Sequence, residues 1–331
     1  MTGARAIAIV SVAMVVSACA PRFQEPGPAI VEPRIADDAI VAADGVRLPL
    51  RAWLPKDGAP KAAVVALHGF NDYGNFFDAA GKFLAERGIA AYAYDQRGFG
   101  AAPSPGVWAG IAAMQDDART AARLIRARHP GVPLYLLGES MGAAVLMTAA
   151  TSNDPPVADG YILSAPAVWA RATMPWYQRA ALWLGVHTFP WATVTGRGLD
   201  IQPSDNIEML RALGRDPLVI KETRIDAIYG LANLMDAALT SSGRFDARAL
   251  ILYGEKDEII PKRPTYLMLT RLPPSAAGRQ KVAIYGTGYH MLLRDLKADI
   301  PLADIAAWVA ESDAALPSGA DRKSIAVLNP D

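Results

Sequence analysis

Gly138-Glu139-Ser140-Met141-Gly142 follows the apolar run Leu134 to Leu137 and opens the helical pattern Ala143 to Ala150. A serine on so sharp a strand-to-helix turn needs small residues two positions to either side, so that strand and helix can approach each other; both positions are glycine. The turn lifts the hydroxyl above the sheet edge, and the helix N-terminus beneath it favours negative charge developing there. The chemistry this suits is acyl transfer from a nucleophilic serine. A serine hydroxyl is a poor nucleophile until a base takes its proton, and that base must be oriented by a carboxylate.

Four histidines could supply the base. His129 closes a helix before Pro130-Gly131, His187 lies in a region without strand pattern, and His68 precedes a tight turn. His290 alone follows a late strand, Val282 to Tyr285, through Gly286-Thr287-Gly288-Tyr289. Ligands bind at the C-terminal ends of strands in such sheets, so His290 is delivered to the edge that carries Ser140. For the carboxylate, the strand Ala249 to Tyr253 runs into Gly254-Glu255-Lys256-Asp257-Glu258. Three acids compete there. Asp257 is preferred because it lies far enough into the loop to turn back toward His290, with Glu255 and Glu258 as the alternatives. The tetrahedral intermediate also needs N–H donors. Met141, directly after the nucleophile, is one candidate, and Phe70, in the turn His68-Gly69-Phe70-Asn71, is the other; His68 then supports that turn.

These residues need strand ends to hold them. Apolar runs expected as strands are 39–43, 48–54, 62–67, 89–94, 134–137, 160–163, 249–253 and 282–285, alternating with helical patterns at 76–87, 114–128, 140–151, 264–272 and 292–309. This rhythm predicts an α/β fold, a mostly parallel eight-stranded sheet covered by helices on both faces. Asp44-Gly45 between the first two strands predicts an antiparallel hairpin at its start. No strand can be placed convincingly over 167–243, and an interval of that length within a compact domain is expected to be a helical cap. The predicted organisation is a core of 37–166 and 244–312, a cap of 167–243, a tether of 19–36 and a loose tail of 313–331.

Taken together, His68-Gly69-Phe70, Asp95-Gln96-Arg97-Gly98-Phe99-Gly100, Gly138 to Gly142, Gly254-Glu255-Lys256-Asp257 and Tyr289-His290 resemble the monoacylglycerol lipase and lysophospholipase branch of the α/β-hydrolases, of the serine aminopeptidase S33 type. The nucleophile–acid–histidine order is also that of the α/β-hydrolases. The resemblance spans roughly residues 37 to 312. It implies hydrolysis of single-chain lipid esters without metal or cofactor, a triad of Ser140, Asp257 and His290, and a cap that forms the acyl-chain tunnel. Phe99 departs from the branch, whose members often carry histidine there. Four of the seven tryptophans fall in the cap, where Trp176, Trp183 and Phe189 are expected to line the acyl groove, each buried methylene contributing about 0.8 kcal/mol. As a set the cap's aromatic residues point to an apolar substrate, and some of them to contact with a bilayer. A peptidase, or another small-ester or carbon–carbon hydrolase on the same fold, is the rival reading; a non-catalytic binding protein is the second. Epoxide hydrolases and dehalogenases are disfavoured because Ser140 stands where they carry an aspartate.

The chain has 331 residues, 52% of them hydrophobic, and equal numbers of basic and acidic side chains. No net field draws it to nucleic acid. No histidine pair has metal-ligand spacing, no glycine-rich loop fits a nucleotide, and no obligate protein partner is expected. Arg5, the apolar run Ala6 to Val16 and then Ser17-Ala18-Cys19 have the order of an export signal, too short for a spanning helix. Val16 to Cys19 resembles the bacterial lipobox. Cys19, the only cysteine, is therefore expected to be acylated after removal of 1–18, making the protein an exported, membrane-anchored lipoprotein facing the periplasm. Ala20 lacks the aspartate of inner-membrane retention and points to the outer membrane. The proline-containing tether, at about 3 Å per residue, could hold the enzyme roughly 40 to 50 Å from that anchor.

Overall fold

The computed structural model describes residues 21–329. The expectations for Cys19 and the signal lie outside them.

Strand β1 is Arg34–Ala36, β2 Ala39–Val41, β3 Arg47–Trp53, β4 Ala62–Leu67, β5 Ile89–Tyr94, β6 Leu134–Glu139 and β7 Gly160–Ser164; β8 (Thr193–Val194) and β9 (Thr223–Arg224) lie in the cap, and β10 (Ala249–Gly254) and β11 (Gln280–Tyr285) complete the core. Among the described residues the main sheet runs β1-β2-β3-β5-β4-β6-β7-β10-β11. It therefore has nine strands rather than eight, because β1 pairs antiparallel with β2 where the sequence reads as tether. The β2–β3 hairpin turns at Gly45, φ 81°, and pairing from β5 onward is parallel.

Buried strands of such a sheet read as unbroken apolar runs because both faces are covered. In β4, Ala63, Val65 and Leu67 join one core, while Ala62, Val64 and Ala66 join the other. The first core includes α2 (Ile111–Arg128), α3 (Met141–Ala150) and α6 (Ile225–Ser241). The second includes α1 (Asp78–Ala85) and α8 (Asp299–Ala310). Helix α7 is Lys262–Thr270. Residues 167–243 hold α4 (Trp176–Thr188), α5 (Ile207–Arg215), α6 and the β8–β9 ladder, whose two-residue strands are too short to leave a periodic pattern.

Three further expectations change. The helix expected over 292–309 starts only at Asp299, and Pro301, which has no N–H to donate, sits in its first turn. Before it, Arg294 and Asp295 are buried and bonded to other loops instead of facing solvent. The tail is not loose: Leu316 and Leu328 are buried, and Lys323 pairs with Glu255. The tether is fastened to the body. Arg22 N–H donates to Asp226 (3.2 Å), Gln24 N–H to the Trp108 carbonyl (2.7 Å), Gly27 N–H to Asp44 (3.3 Å), and Ile30 N–H to the Ala43 carbonyl (2.8 Å). Proline content alone could not separate a spacer from a strap whose backbone finds partners on a folded surface.

Candidate active site

Ser140 sits between β6 and α3 at φ 53°, ψ −111°, a conformation that side chains resist and the surroundings must enforce. The enforcement is steric and local. A Cβ on Gly142 would overlap the Leu67 carbonyl of β4, and one on Gly138 would overlap the backbone of Gly142 and Ala143. Ser140 N–H donates to the Ser164 carbonyl (2.9 Å), and its own carbonyl accepts from Ala167 N–H (3.0 Å) where the cap begins.

Asp257 and His290 are brought together. The buried carboxylate of Asp257 accepts from His290 Nδ1 at 2.8 Å through Oδ2, while Oδ1 accepts from the N–H groups of Ile259 (2.8 Å) and Ile260 (2.9 Å). That leaves Nε2 as the imidazole's basic atom and fixes the ring's plane. Burial alone would disfavour the imidazolium, but the charge and hydrogen bond of Asp257, with Glu139 adding and Arg294 opposing, raise the pKa of His290 above its ordinary value. Glu255 instead pairs with Lys262 and Lys323, and Glu258 accepts from Gln202 N–H, so the competing acids are occupied elsewhere.

The turn expected to hold the oxyanion lies against the nucleophile: a Cβ on Gly69 would be 3.4 Å from Ser140 Cβ. Met141 is fully buried and Phe70 half-buried. His68 Nε2 accepts from Gln96 N–H (2.9 Å), so Nδ1 carries the proton and donates to the Gly69 carbonyl (2.7 Å). Burial lowers its pKa and keeps it neutral. Phe99, the departure from the branch pattern, packs edge-on against both His68 and Phe70, at 5.5 and 5.6 Å between centroids. His129 bonds the Tyr92 hydroxyl (2.7 Å), and His187 stacks on Trp183 (4.6 Å). Among the described residues, no group of three or more His, Cys, Asp or Glu could hold a metal ion.

The sequence reading missed Arg294. Its guanidinium, fully buried, donates to Asp72 (2.7 Å) and Glu139 (2.7 Å) and so ties the oxyanion turn, the nucleophile turn and the histidine loop together. Burial pushes the Glu139 carboxyl above its usual range, while Arg294 works to lower it. The available signal was an arginine four positions after His290, directly after the apolar run Met291 to Leu293.

The cap aromatics are a correction. Trp176 is 78% exposed, and Trp183 and Phe189 60% each, so these side chains face outward and do not line an enclosed groove. Helix α4 buries only Val186, and apolar content cannot by itself say which way a cap helix turns.

Residues 58–297 match the family described as serine aminopeptidase, S33. The chain belongs to that family. A monoacylglycerol lipase of Mycolicibacterium smegmatis is 25% identical over 292 residues, covering 83% of this chain and 96% of the relative. A monoglyceride lipase of mouse is 27% identical over 288 residues, covering 85% and 92%. Among solved structures, a soluble variant of monoglyceride lipase from Saccharomyces cerevisiae superposes with a TM-score of 0.68 at 19% identity, over 88% of this chain and 97% of that one. The monoacylglycerol lipase of Paleococcus ferrophilus gives 0.64 at 20%, over 81% and 99%. At that identity the structural likeness is one of fold.

Proposed function

We propose that this S33 hydrolase cleaves carboxylic esters of single-chain lipids, monoacylglycerol or lysophospholipid in type, through an acyl-enzyme on Ser140. The observation that carries the chemistry is the Asp257–His290 hydrogen bond, presented from the ends of β10 and β11 to the sheet edge that bears Ser140. Ser140 Oγ attacks the ester carbonyl as His290 Nε2 takes its proton, and the Met141 and Phe70 N–H groups receive the oxyanion. Collapse breaks the acyl–oxygen bond, and His290 returns the proton to the departing glycerol oxygen. Water, deprotonated by the same nitrogen, then releases the fatty acid and restores Ser140. The lipid substrate is argued from the named relatives.

The S33 description raises aminopeptidase activity as a second reading. A peptidase of that kind needs a carboxylate for the substrate's ammonium group, and Glu139 and Asp72, the acids flanking the nucleophile and oxyanion turns, are both paired with the buried Arg294 cation. Hydrolysis of monoacylglycerols and lysophospholipids of graded chain length, set against aminoacyl-naphthylamides, decides between them. Preference for the aminoacyl series would sink the lipase reading. Failure of a fluorophosphonate to label Ser140 would sink the enzyme reading altogether.

We also propose that Cys19 carries acyl chains that hold the enzyme to a bacterial membrane from the periplasmic side, preferably the outer one. The lipobox-like Val16 to Cys19 and the chain's single cysteine support this. The mass of the N-terminal peptide tests it, and an unmodified Cys19 would overturn it.

A further inference from the structure

Of the two N–H groups assigned to the oxyanion, that of Met141 opens a buried helix, whereas that of Phe70 lies in a turn whose shape depends on the cap. A trans peptide points its carbonyl and its N–H in opposite directions, so whatever fixes the Gly69 carbonyl also aims the Phe70 N–H. That carbonyl accepts from His68 Nδ1 (2.7 Å) and from Asp72 N–H (3.3 Å). The Asp72 N–H shares its own peptide plane with the Asn71 carbonyl, which accepts from Ile220 N–H of the cap (2.9 Å). Two peptide planes therefore lead from the cap to the oxyanion donor.

Asn71 is what lets the turn reach the cap. Its φ is 65°, a left-handed conformation that asparagine tolerates better than most side chains. Its Nδ2 donates to Thr223 Oγ1 at 2.6 Å, and Thr223 is buried at the first position of β9. Further along the turn, the Tyr73 hydroxyl donates to Asp216 (2.7 Å). The ring of Phe70 meets the cap as well, through Trp108. The two rings lie 6.2 Å apart, and the Trp108 indole fills the space left by Gly230 of α6, where a Cβ would overlap it. A cap that needed only adhesion could bond anywhere on the rim of the core. Here three of its hydrogen bonds converge on the three residues that follow Phe70.

We infer that cap segment 216–223 aims the Phe70 N–H at the oxyanion, with Asn71 and Thr223 as positioning residues for acyl transfer at Ser140. The inference rests on the esterase reading. An unseated cap leaves the triad whole and the oxyanion donor misaligned, so seating the cap and stabilising the tetrahedral intermediate are one event.

The test compares T223V, T223S and N71G with the wild type on a soluble short-chain aryl ester and on its thiono counterpart, in which C=S replaces C=O. T223V removes the acceptor at nearly constant shape, T223S retains it, and N71G removes the amide while accepting the positive φ. Deleting an oxyanion donor outright costs about 10²–10³ in kcat, and a misaligned one is expected to cost about tenfold in T223V and N71G, with KM unchanged. Sulfur accepts hydrogen bonds weakly, so turnover of the thiono ester should fall about twofold or less. Affinity for a trifluoromethyl ketone, whose hemiketal with Ser140 carries the same oxyanion, should fall in step with kcat/KM. T223S should stay within about twofold of the wild type. Should T223V fail to fold, N71G gives the same reading. Equal losses on the two esters, equal losses in T223S and T223V, or no loss at all would overturn the positioning role. A wild type that neither hydrolyses the ester nor takes a fluorophosphonate would instead refute the esterase reading, and this inference with it.

Discussion

Arg294 Nη2 lies 2.7 Å from Glu139 Oε1 in a fully buried ion pair directly beside the nucleophile. The same two charges act on His290 in opposite directions, Glu139 favouring the imidazolium and Arg294 opposing it.

The raised pKa of His290 sets the acid limb of the activity profile. His290 must be neutral to act as base, so kcat/KM rises with pH through a limb lying above the ordinary histidine value of 6.5. Glu139→Gln removes a charge that favours the protonated ring, and its limb is expected to move to lower pH. Arg294→Lys keeps the cation but loses the two-armed contact, and should lower kcat with the limb in place. A pH–rate series on the three proteins reads this directly; identical limbs in wild type and Glu139→Gln would contradict the coupling.

Ser140→Ala and His290→Ala are each expected to lower kcat by about 10⁴-fold or more without changing the fold. Ser140→Gly should also remove turnover, and because Ser140 is held at φ 53° it should raise stability by about 1 kcal/mol relative to Ser140→Ala. Thermal melts of the two variants check the second point, and equal melting temperatures would count against strain at the elbow.

Gly142→Ala places a methyl group on the Leu67 carbonyl, and neither backbone can yield without moving β4 or α3. A loss of roughly 3 kcal/mol or more is expected, measured by denaturant titration. An unchanged midpoint would mean that the sheet relaxes more readily than its packing implies.

Ending the chain at residue 312 removes Leu316 and Leu328 from buried positions and Lys323 from Glu255, two residues before Asp257. The expected result is a lower melting temperature together with reduced kcat, because the loop holding Asp257 loses a tie. A truncated enzyme with both values intact would return these residues to the status of a loose tail.

The parallel part of the sheet was legible because each buried strand is a short apolar run closed by glycine or a polar turn, and the hairpin because Asp44-Gly45 admits positive φ. The glycines around Ser140 were legible for the same reason, that only one residue type fits. Arg294 was not, since pairing between residues 155 positions apart leaves no periodic trace. The outward turn of Trp176 and Trp183 was equally hidden, because the side of a helix that becomes its buried face is decided by what packs there.

The strap over residues 21 to 31 alters what kind of encounter the enzyme has with its substrate. With Arg22 fastened to Asp226, a group attached at Cys19 has about 10 Å of free backbone, not the length of the whole proline-containing segment. If Cys19 is acylated as proposed, such a leash would confine catalysis to the leaflet that holds the anchor. Lipids would then reach the enzyme by lateral diffusion in two dimensions, and turnover would follow their surface density instead of their bulk concentration.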